Sequence, residues 1–306
     1  MTNRAPIESI PELRRRCQDP VRMYNDLTGS LYGWRFSIYF TRLFLSLGLT
    51  ASFASSLMVL TGLLGWILAS FGGPFLLAGL VSLTMSYVLD CVDGEMARYR
   101  GIDSFRWAGV DYLHHLVTKG MAFLGIGVGL YRDTGNAWVI AAGALCSVSW
   151  LLLVGLRDLP MLLFAKKIVM NERRFENPAV KRLYGYLDLL RKEIHERPAP
   201  RDIWGAEFRF RPWVIRTFFT CFDVVIPMLA VTAAVDRFVH PFTWHGVSFS
   251  VTSAVVCAYA IILPLHFLDC MNTAMRGKQV RNELYQLAEK VEFKTGAAAK
   301  REEVER

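Results

Sequence analysis

Long apolar runs separated by short polar segments dominate the chain, which is 53% hydrophobic. Six of these runs approach the length of a membrane span, at about residues 52–71, 75–99, 105–131, 137–156, 213–235 and 243–270. A helix needs about 20 predominantly apolar residues to cross a bilayer. The pattern therefore predicts an all-α, polytopic membrane protein with six transmembrane helices.

A different pattern precedes the first span. Residues 23–49 mix arginines with aromatic and aliphatic residues, which is typical of an amphipathic helix lying on the membrane surface. We expect residues 1–22 to form a polar segment, loosely ordered over most of its length, and residues 276–306 to form a charged tail. Between them the sequence predicts one membrane domain over residues 23–275, with its longest polar loop at residues 166–212.

Basic residues are distributed unevenly among the segments between the spans, and the formal net charge is +8. Seven arginines precede residue 43, ten lysines or arginines lie within residues 166–201 and eight follow Met275, whereas the opposite loops hold only Arg132 and Arg237. By the positive-inside rule, both termini face the cytoplasm. Because the basic residues flank apolar spans, they favour contacts with anionic lipids and not with nucleic acid. We expect a cell inner (cytoplasmic) membrane protein.

Acidic residues interrupt the apolar pattern at the cytoplasmic end of the second span. Asp90 and Asp93 share one face of that helix, and Asp111 and His115 share one face of the next. Charged groups in a membrane-spanning segment are costly and mark a functional site by default. If the two helices are antiparallel neighbours, three carboxylates and an imidazole converge, which suits a divalent cation. A structural charge network at the interface is the alternative.

The complete stretch reads Asp90-x-x-Asp93-Gly94-x-x-Ala97-Arg98, followed after eight residues by Trp107-x-x-x-Asp111-x-x-x-His115. It resembles the signature of the CDP-alcohol phosphotransferase family, which is DxxDGxxAR, eight residues, G, then xxxDxxxD. The first half agrees at every defined position, and the spacing to the third Asp is kept. The resemblance implies a surface helix followed by six membrane helices, in agreement with the apolar pattern.

The resemblance also implies an activity. Family members transfer a phosphoalcohol group from a CDP-alcohol to an acceptor hydroxyl and release CMP, in phospholipid or related lipid biosynthesis. The reaction depends on Mg²⁺ or Mn²⁺. By resemblance, the donor is CDP-diacylglycerol or a soluble CDP-alcohol, the acceptor is an alcohol, the active site is cytoplasmic and the enzyme is a homodimer.

Residue roles follow from the same resemblance. The metal would be bound by Asp90, Asp93 and Asp111, and the nucleotide by Gly94, Ala97 and Arg98. Two basic residues are candidates for contacts with an acceptor phosphate: Lys119 in the third predicted span and Arg157 at the far end of the fourth. The alternatives are charge compensation for Lys119 and snorkelling to the interface for Arg157.

Two positions depart from the family's pattern. His115 stands where the family has the Asp taken as the catalytic base, and an imidazole can act as a general base near neutral pH. Because Mg²⁺ prefers oxygen ligands, His115 is either a base beside a simplified metal site or a ligand to a nitrogen-tolerant ion such as Mn²⁺. Trp107 replaces a glycine. It either stacks on the nucleotide base, blocks the donor or is a plain interfacial anchor.

These departures leave two alternative interpretations. One is a divergent transferase or hydrolase that uses another donor. The other is a catalytically inactive, lipid-binding membrane protein. The three retained carboxylates argue against the second, because keeping them at a membrane interface without a metal is energetically unfavourable.

Overall fold

The computed structural model describes the chain in five stretches, residues 7–24, 29–101, 105–170, 220–244 and 246–275. Within these stretches the chain is mostly helical. The α-helices are α1 (Ile10–Cys17), α2 (Trp34–Ser46), α3 (Ala51–Ala69), α4 (Gly73–Arg100), α5 (Phe105–Thr134), α6 (Trp138–Met170), α7 (Phe222–Val235) and α8 (Val251–Met275). A 3₁₀ helix (Asp19–Tyr24) and a π-helical turn (Gly29–Gly33) lie between α1 and α2.

The contacts divide the chain into two compact units. The first comprises residues 1–151 and 199–265, and the second comprises residues 152–198 and 266–306. The described part of the second unit consists of the later turns of α6 and the last turns of α8. All contacts discussed below lie within the first unit.

Five of the described helices are long and apolar enough to cross a membrane, which indicates an integral membrane protein. The candidate spans are Ala51–Ala69, Gly73–Arg100, Gly109–Thr134, Trp138–Leu156 and Val251–Asn272. The predicted span at residues 213–235 begins outside the described residues, and its described part, α7, is 14 residues long. Because a span requires about 20 residues, this fifth predicted span, and with it the total of six, stays a prediction.

Small residues allow α3, α4 and α5 to approach one another closely. A Cβ added to Gly79 on α4 would lie 2.4 Å from the carbonyl oxygen of Gly65 on α3. A Cβ added to Gly125 on α5 would lie 2.5 Å from the carbonyl oxygen of Trp66 on α3. Such backbone-to-backbone packing is common between membrane helices, because lipid supplies no hydrophobic drive for helix association. The packing positions the end of α4 beside the start of α5, where the acidic residues lie.

The N-terminal segment packs against the membrane helices, so the prediction of loose order is wrong for α1. The Glu12 carboxylate accepts hydrogen bonds from the backbone N–H and the hydroxyl of Ser9, which begins the helix with a capping box. Leu13 and Cys17, one turn apart, are fully buried. The prolines and arginines of this segment suggested a loosely ordered chain. The helix is ordered because one of its faces buries Leu13 and Cys17.

Helix α2 buries two polar residues beside its apolar ones and exposes several large apolar residues. Ser37 and Thr41 are fully buried on the side that contacts α4, whereas Phe36, Tyr39 and Leu43 are each exposed by half or more. An exposed apolar stripe is what an interfacial helix presents to lipid. The helix is shorter than the predicted one, and its position on a membrane surface stays a prediction.

A short β-hairpin precedes α8, where the sequence predicts the start of the sixth span. Strand β1 (Phe242–Trp244) pairs antiparallel with β2 (Val247–Phe249). The rings of Phe242 and Phe249 stack with centroids 5.8 Å apart. Alternating aromatic residues before Val251 lengthen the apolar run, so the predicted boundary at residue 243 is too early. The predicted all-α class holds for the described residues apart from this hairpin.

Asp133, near the end of α5, caps α4 from outside that helix. Its carboxylate oxygens lie 2.7 and 2.8 Å from the backbone nitrogen of Gly73, an N–H that the helix itself leaves unpaired. We expect Asp133→Ala to lower the free energy of unfolding by about 1 kcal/mol, as loss of an N-cap does, and Asp133→Asn to lower it less. Thermal unfolding of the detergent-solubilised protein measures both changes. Equal midpoints for the wild type and Asp133→Ala would contradict the assigned cap.

Candidate metal centre

The end of α4 and the start of α5 bring two carboxylates and an imidazole together. Asp90 lies on α4, and Asp111 and His115 lie one turn apart on α5. His115 Nε2 is 3.2 Å from Asp111 Oδ1 and 3.5 Å from Asp90 Oδ2. One ligand atom from each residue lies within 4.8 Å of the others. Three of the four residues expected to converge are therefore close enough to contact one ion.

An unsatisfied carboxylate oxygen supports a cation at this position. Asp111 Oδ1 is buried and has no hydrogen-bond partner among the described residues, despite its short distance to His115 Nε2. Distance alone does not make a hydrogen bond, because the donor direction must fit as well. A buried oxygen without a donor is costly, and a cation would satisfy it. If His115 is a ligand, two carboxylates and one imidazole suit Mn²⁺ better than Mg²⁺, which prefers oxygen ligands; if His115 is a base, the two carboxylates form an all-oxygen set that suits either ion.

Asp93 lies one turn after Asp90 on α4 but turns toward α3. Its Oδ2 accepts a 2.8 Å hydrogen bond from Ser55 Oγ, and the Ser55 side chain is buried. Asp93 contributes no atom to the three-residue group. Two of the three predicted metal carboxylates, Asp90 and Asp111, thus lie in the group with His115, whereas Asp93 is hydrogen-bonded to Ser55 on α3. A metal contact of Asp93 stays a prediction.

Arg98 is held by the N-terminal segment. Its Nε donates a 2.5 Å hydrogen bond to the carbonyl oxygen of Cys17, the last residue of α1. Its terminal nitrogens lie over Gly94, where an added Cβ would be 3.2 Å from Nη1. A side chain at position 94 would contact the guanidinium closely, so glycine at this position leaves room for the Arg98 side chain. Ala97, the third residue predicted to bind the nucleotide, is half-buried next to Arg98.

The neighbouring His114 points away from the group and has a structural role. Its Nε2 and Nδ1 lie 3.1 Å from Ser86 Oγ and 3.1 Å from Thr118 Oγ1. Because Ser86 donates its own proton to the carbonyl oxygen of Met58, we assign Nε2–H as the donor to Ser86 and Thr118 as the donor to Nδ1. Both ring nitrogens are used, and a Cβ added to Gly62 would lie 2.2 Å from this ring.

Lys119 lies one turn beyond His115 on the same face of α5 and has an acidic neighbour. Its Nζ is 3.7 Å from Asp223 Oδ2 on α7, and the two side chains are 16% and 10% exposed. The Lys119 ammonium also lies 5.5 Å from the centre of the Phe222 ring. The backbone carbonyl of Asp223 accepts a 2.6 Å hydrogen bond from the Tyr32 hydroxyl. The lysine predicted to bind the acceptor is therefore already paired with a carboxylate.

The remaining predicted site residues cannot be placed by their side chains. Trp107 lies in the first turn of α5, and Arg157 lies in the part of α6 that belongs to the second unit. The structure does not describe either side chain. Their predicted roles, contact with the nucleotide and contact with the acceptor, stay predictions.

Two buried carboxylates were missed by the sequence analysis. Glu95 is fully buried, and Asp223 is nearly so. Glu95 falls on the stripe of α4 that carries Val92 and Met96, both core residues. A carboxylate at a core position was the signal, because Asp and Glu are almost never fully buried without partners.

Comparison with protein-family models gives no match to this chain, and comparison with curated proteins gives no match either. The fold and the site define a class: a helical integral membrane protein with a carboxylate–imidazole group able to hold a metal ion. The resemblance to CDP-alcohol phosphotransferases rests on the motif.

Metal affinity tests the centre directly. We expect Asp111→Asn to weaken Mn²⁺ binding by about tenfold or more, because it removes a charged ligand worth at least about 1.4 kcal/mol. The measurement is titration of the purified protein with Mn²⁺ alone, followed by electron paramagnetic resonance of the free ion. Asp133→Asn, which neutralises a carboxylate at the other end of the same helix, should bind Mn²⁺ like the wild type. Equal affinities for all three proteins would overturn the centre.

Proposed function

We propose that the chain is a membrane-embedded, metal-dependent phosphotransferase of the CDP-alcohol type. The observation that carries this proposal is the convergence of Asp90, Asp111 and His115 at the end of α4. Asp90 begins a stretch that reproduces DxxDGxxAR in full, Asp111 keeps the family's spacing, and His115 stands at the position of the fourth Asp. Convergence of the two halves of the motif is what a shared role in one site requires.

The proposed reaction exchanges one phosphorus–oxygen bond for another. The acceptor oxygen bonds to the phosphorus that carries the alcohol, the bond from that phosphorus to CMP breaks, and the hydroxyl proton passes to a base. A bound Mg²⁺ or Mn²⁺ supplies charge neutralisation on the phosphates and on the leaving CMP. The electron pair of the broken bond leaves with CMP.

The side chains of the motif divide the remaining work. Asp90, Asp93 and Asp111 would hold the cation, and Arg98 would pair with the donor's phosphates through its terminal nitrogens. His115 would take the proton at Nε2. A proton on Nε2 would lie beside the two carboxylates that flank this nitrogen, and their charge would stabilise the resulting imidazolium.

The membrane context fits a lipid-linked substrate. Helices α4 and α5 are two of the five that are long and apolar enough to cross a bilayer, and the motif lies at the end of α4 where the basic flanking segments predict the cytoplasmic side. A donor such as CDP-diacylglycerol would keep its acyl chains in lipid while its nucleotide reaches the motif. CMP would leave into the cytoplasm, and the acceptor would be an alcohol that reaches the same surface.

Release of CMP tests the activity. With Mg²⁺ or Mn²⁺, we expect the purified protein to release CMP from CDP-diacylglycerol or from a soluble CDP-alcohol when an alcohol acceptor is present. Asp90→Asn should reduce turnover by about 100-fold or more, because metal charge stabilisation is worth several kcal/mol. Asp133→Asn is the matched control and should stay active. No CMP from any donor would contradict the proposal, and CMP release that needs no acceptor would indicate a hydrolase instead.

His115 distinguishes the base from a metal ligand. We expect His115→Ala to lose turnover by about 100-fold or more while Mn²⁺ affinity falls less than twofold, because a general base contributes that much to the rate. Turnover and Mn²⁺ titration of the same preparation give both numbers. Loss of metal affinity together with turnover would make His115 a ligand. His114→Gln is unsuitable as a control because that ring fills a buried position.

A further inference from the structure

Glu95 is a fully buried carboxylate that joins three helices. It accepts three hydrogen bonds, from Gln18 Nε2 at 2.7 Å, Ser37 Oγ at 2.5 Å and Thr41 Oγ1 at 2.5 Å. Gln18 follows α1 directly, and the two hydroxyls belong to α2. The second amide proton of Gln18 goes to the carbonyl oxygen of Trp34, the first residue of α2. One side chain of α4 therefore ties α1 and α2 to the end of the second membrane span.

Packing alone does not explain a carboxylate at this position. Glu95 lies between Val92 and Met96 on the buried stripe, a position where apolar side chains are the rule. Burying a carboxylate is costly even when it is fully hydrogen-bonded, and an apolar replacement is often neutral or stabilising. The position thus invites a functional explanation.

The next turn of α4 carries that explanation. The Arg98 Nε is bonded to the carbonyl oxygen of Cys17, immediately before Gln18. Arg16 donates a 2.9 Å hydrogen bond to the carbonyl oxygen of Tyr99 and lies 4.2 Å from the centre of its ring. The end of α1 therefore restrains the orientation of the Arg98 guanidinium, because its Nε–H is bonded to α1 and only the terminal nitrogens remain for a ligand.

We propose that Glu95 is a positioning residue: it anchors α1 and α2 on α4 and so holds the Cys17 carbonyl where it orients Arg98 toward the phosphates of the donor. This inference rests on the proposed function. Glu95 itself touches no substrate, and its effect on nucleotide binding passes through Arg98.

A double-mutant cycle tests the route through Arg98. We expect Glu95→Leu to weaken binding of CDP, measured by titration with Mn²⁺ present, by about tenfold, and Arg98→Ala by at least as much, as for charge-assisted hydrogen bonds. In the Arg98→Ala background, Glu95→Leu should change CDP affinity by less than about twofold, because coupled residues are not additive. Additive losses, or unchanged affinity in Glu95→Leu, would overturn the inference.

If Glu95→Leu fails to fold, Thr41→Val provides a milder test. It removes one of the three hydrogen-bond donors to Glu95 and keeps the carboxylate. It should weaken CDP binding by about threefold, in line with one lost hydrogen bond. Asp133→Ala is the matched control, because it removes the cap at the opposite end of α4 from Glu95: it should lower the unfolding midpoint and leave CDP affinity unchanged. Equal effects of Asp133→Ala and Thr41→Val on CDP binding would reduce Glu95 to a general stability role.

Cys17 reports on the anchor without any nucleotide. Its side chain is fully buried, and burial together with the nearby Glu95 raises the pKa of the thiol to about 11. The thiol should therefore resist N-ethylmaleimide in the wild type. We expect modification at Cys17, mapped by mass spectrometry, to be about tenfold faster in Thr41→Val, consistent with local opening of α1. Because this variant keeps the charge of Glu95, faster modification there indicates exposure of the thiol.

The two measurements separate the possible failures. Wild-type protein that binds no CDP with either metal would overturn the proposed function, and with it the role of Arg98. CDP binding in the wild type with unchanged Cys17 modification in Thr41→Val and Glu95→Leu would overturn the anchor. Faster Cys17 modification in these variants, together with unchanged CDP affinity, would show that Glu95 anchors α1 but does not position Arg98.

Discussion

An ionised carboxylate inside a membrane helix must be compensated locally, and this requirement organises the end of α4. Asp90, Asp93 and Glu95 lie within two turns of that helix, and each has a different compensation. Asp90 faces the imidazole of His115, Asp93 accepts from a buried serine, and Glu95 accepts from a glutamine and two hydroxyls. Because successive residues are rotated by about 100° around a helix, one short segment can serve three neighbouring helices at once.

The sequence was sufficient wherever periodicity decides the structure. The long apolar runs predicted the spans that the structure describes, and the i, i+4 spacing of Asp111 and His115 correctly implied one shared face. Those inferences depend on local geometry alone. The third member of the group, Asp90, needed only the additional assumption that consecutive helices pack side by side, which the short loop between α4 and α5 makes natural.

Prediction was weaker wherever a contact joins distant parts of the chain. Spacing placed Asp93 beside Asp90 but gave no sign that Ser55, on another helix, would turn it toward α3. The order of α1 depends on Leu13 joining a buried cluster formed by residues of α2, α3 and α4. The partners of Glu95 are 54 to 77 residues away in sequence, a separation that no local pattern encodes.

The satisfaction of polar groups separates structural from functional carboxylates here. Both oxygens of Glu95 accept hydrogen bonds from neutral donors at close distances, so this group has what it needs within the fold. Asp111 Oδ1 is buried and has only an ion-pair contact with His115 Nε2, 3.2 Å away, without a hydrogen bond from a described donor. Since an unsatisfied buried oxygen is costly, natural proteins keep one mainly where another species completes it. All hydrogen bonds that Glu95 requires thus come from the protein itself. The group of Asp90, Asp111 and His115 instead requires a bound species, such as a cation, to satisfy its buried oxygen.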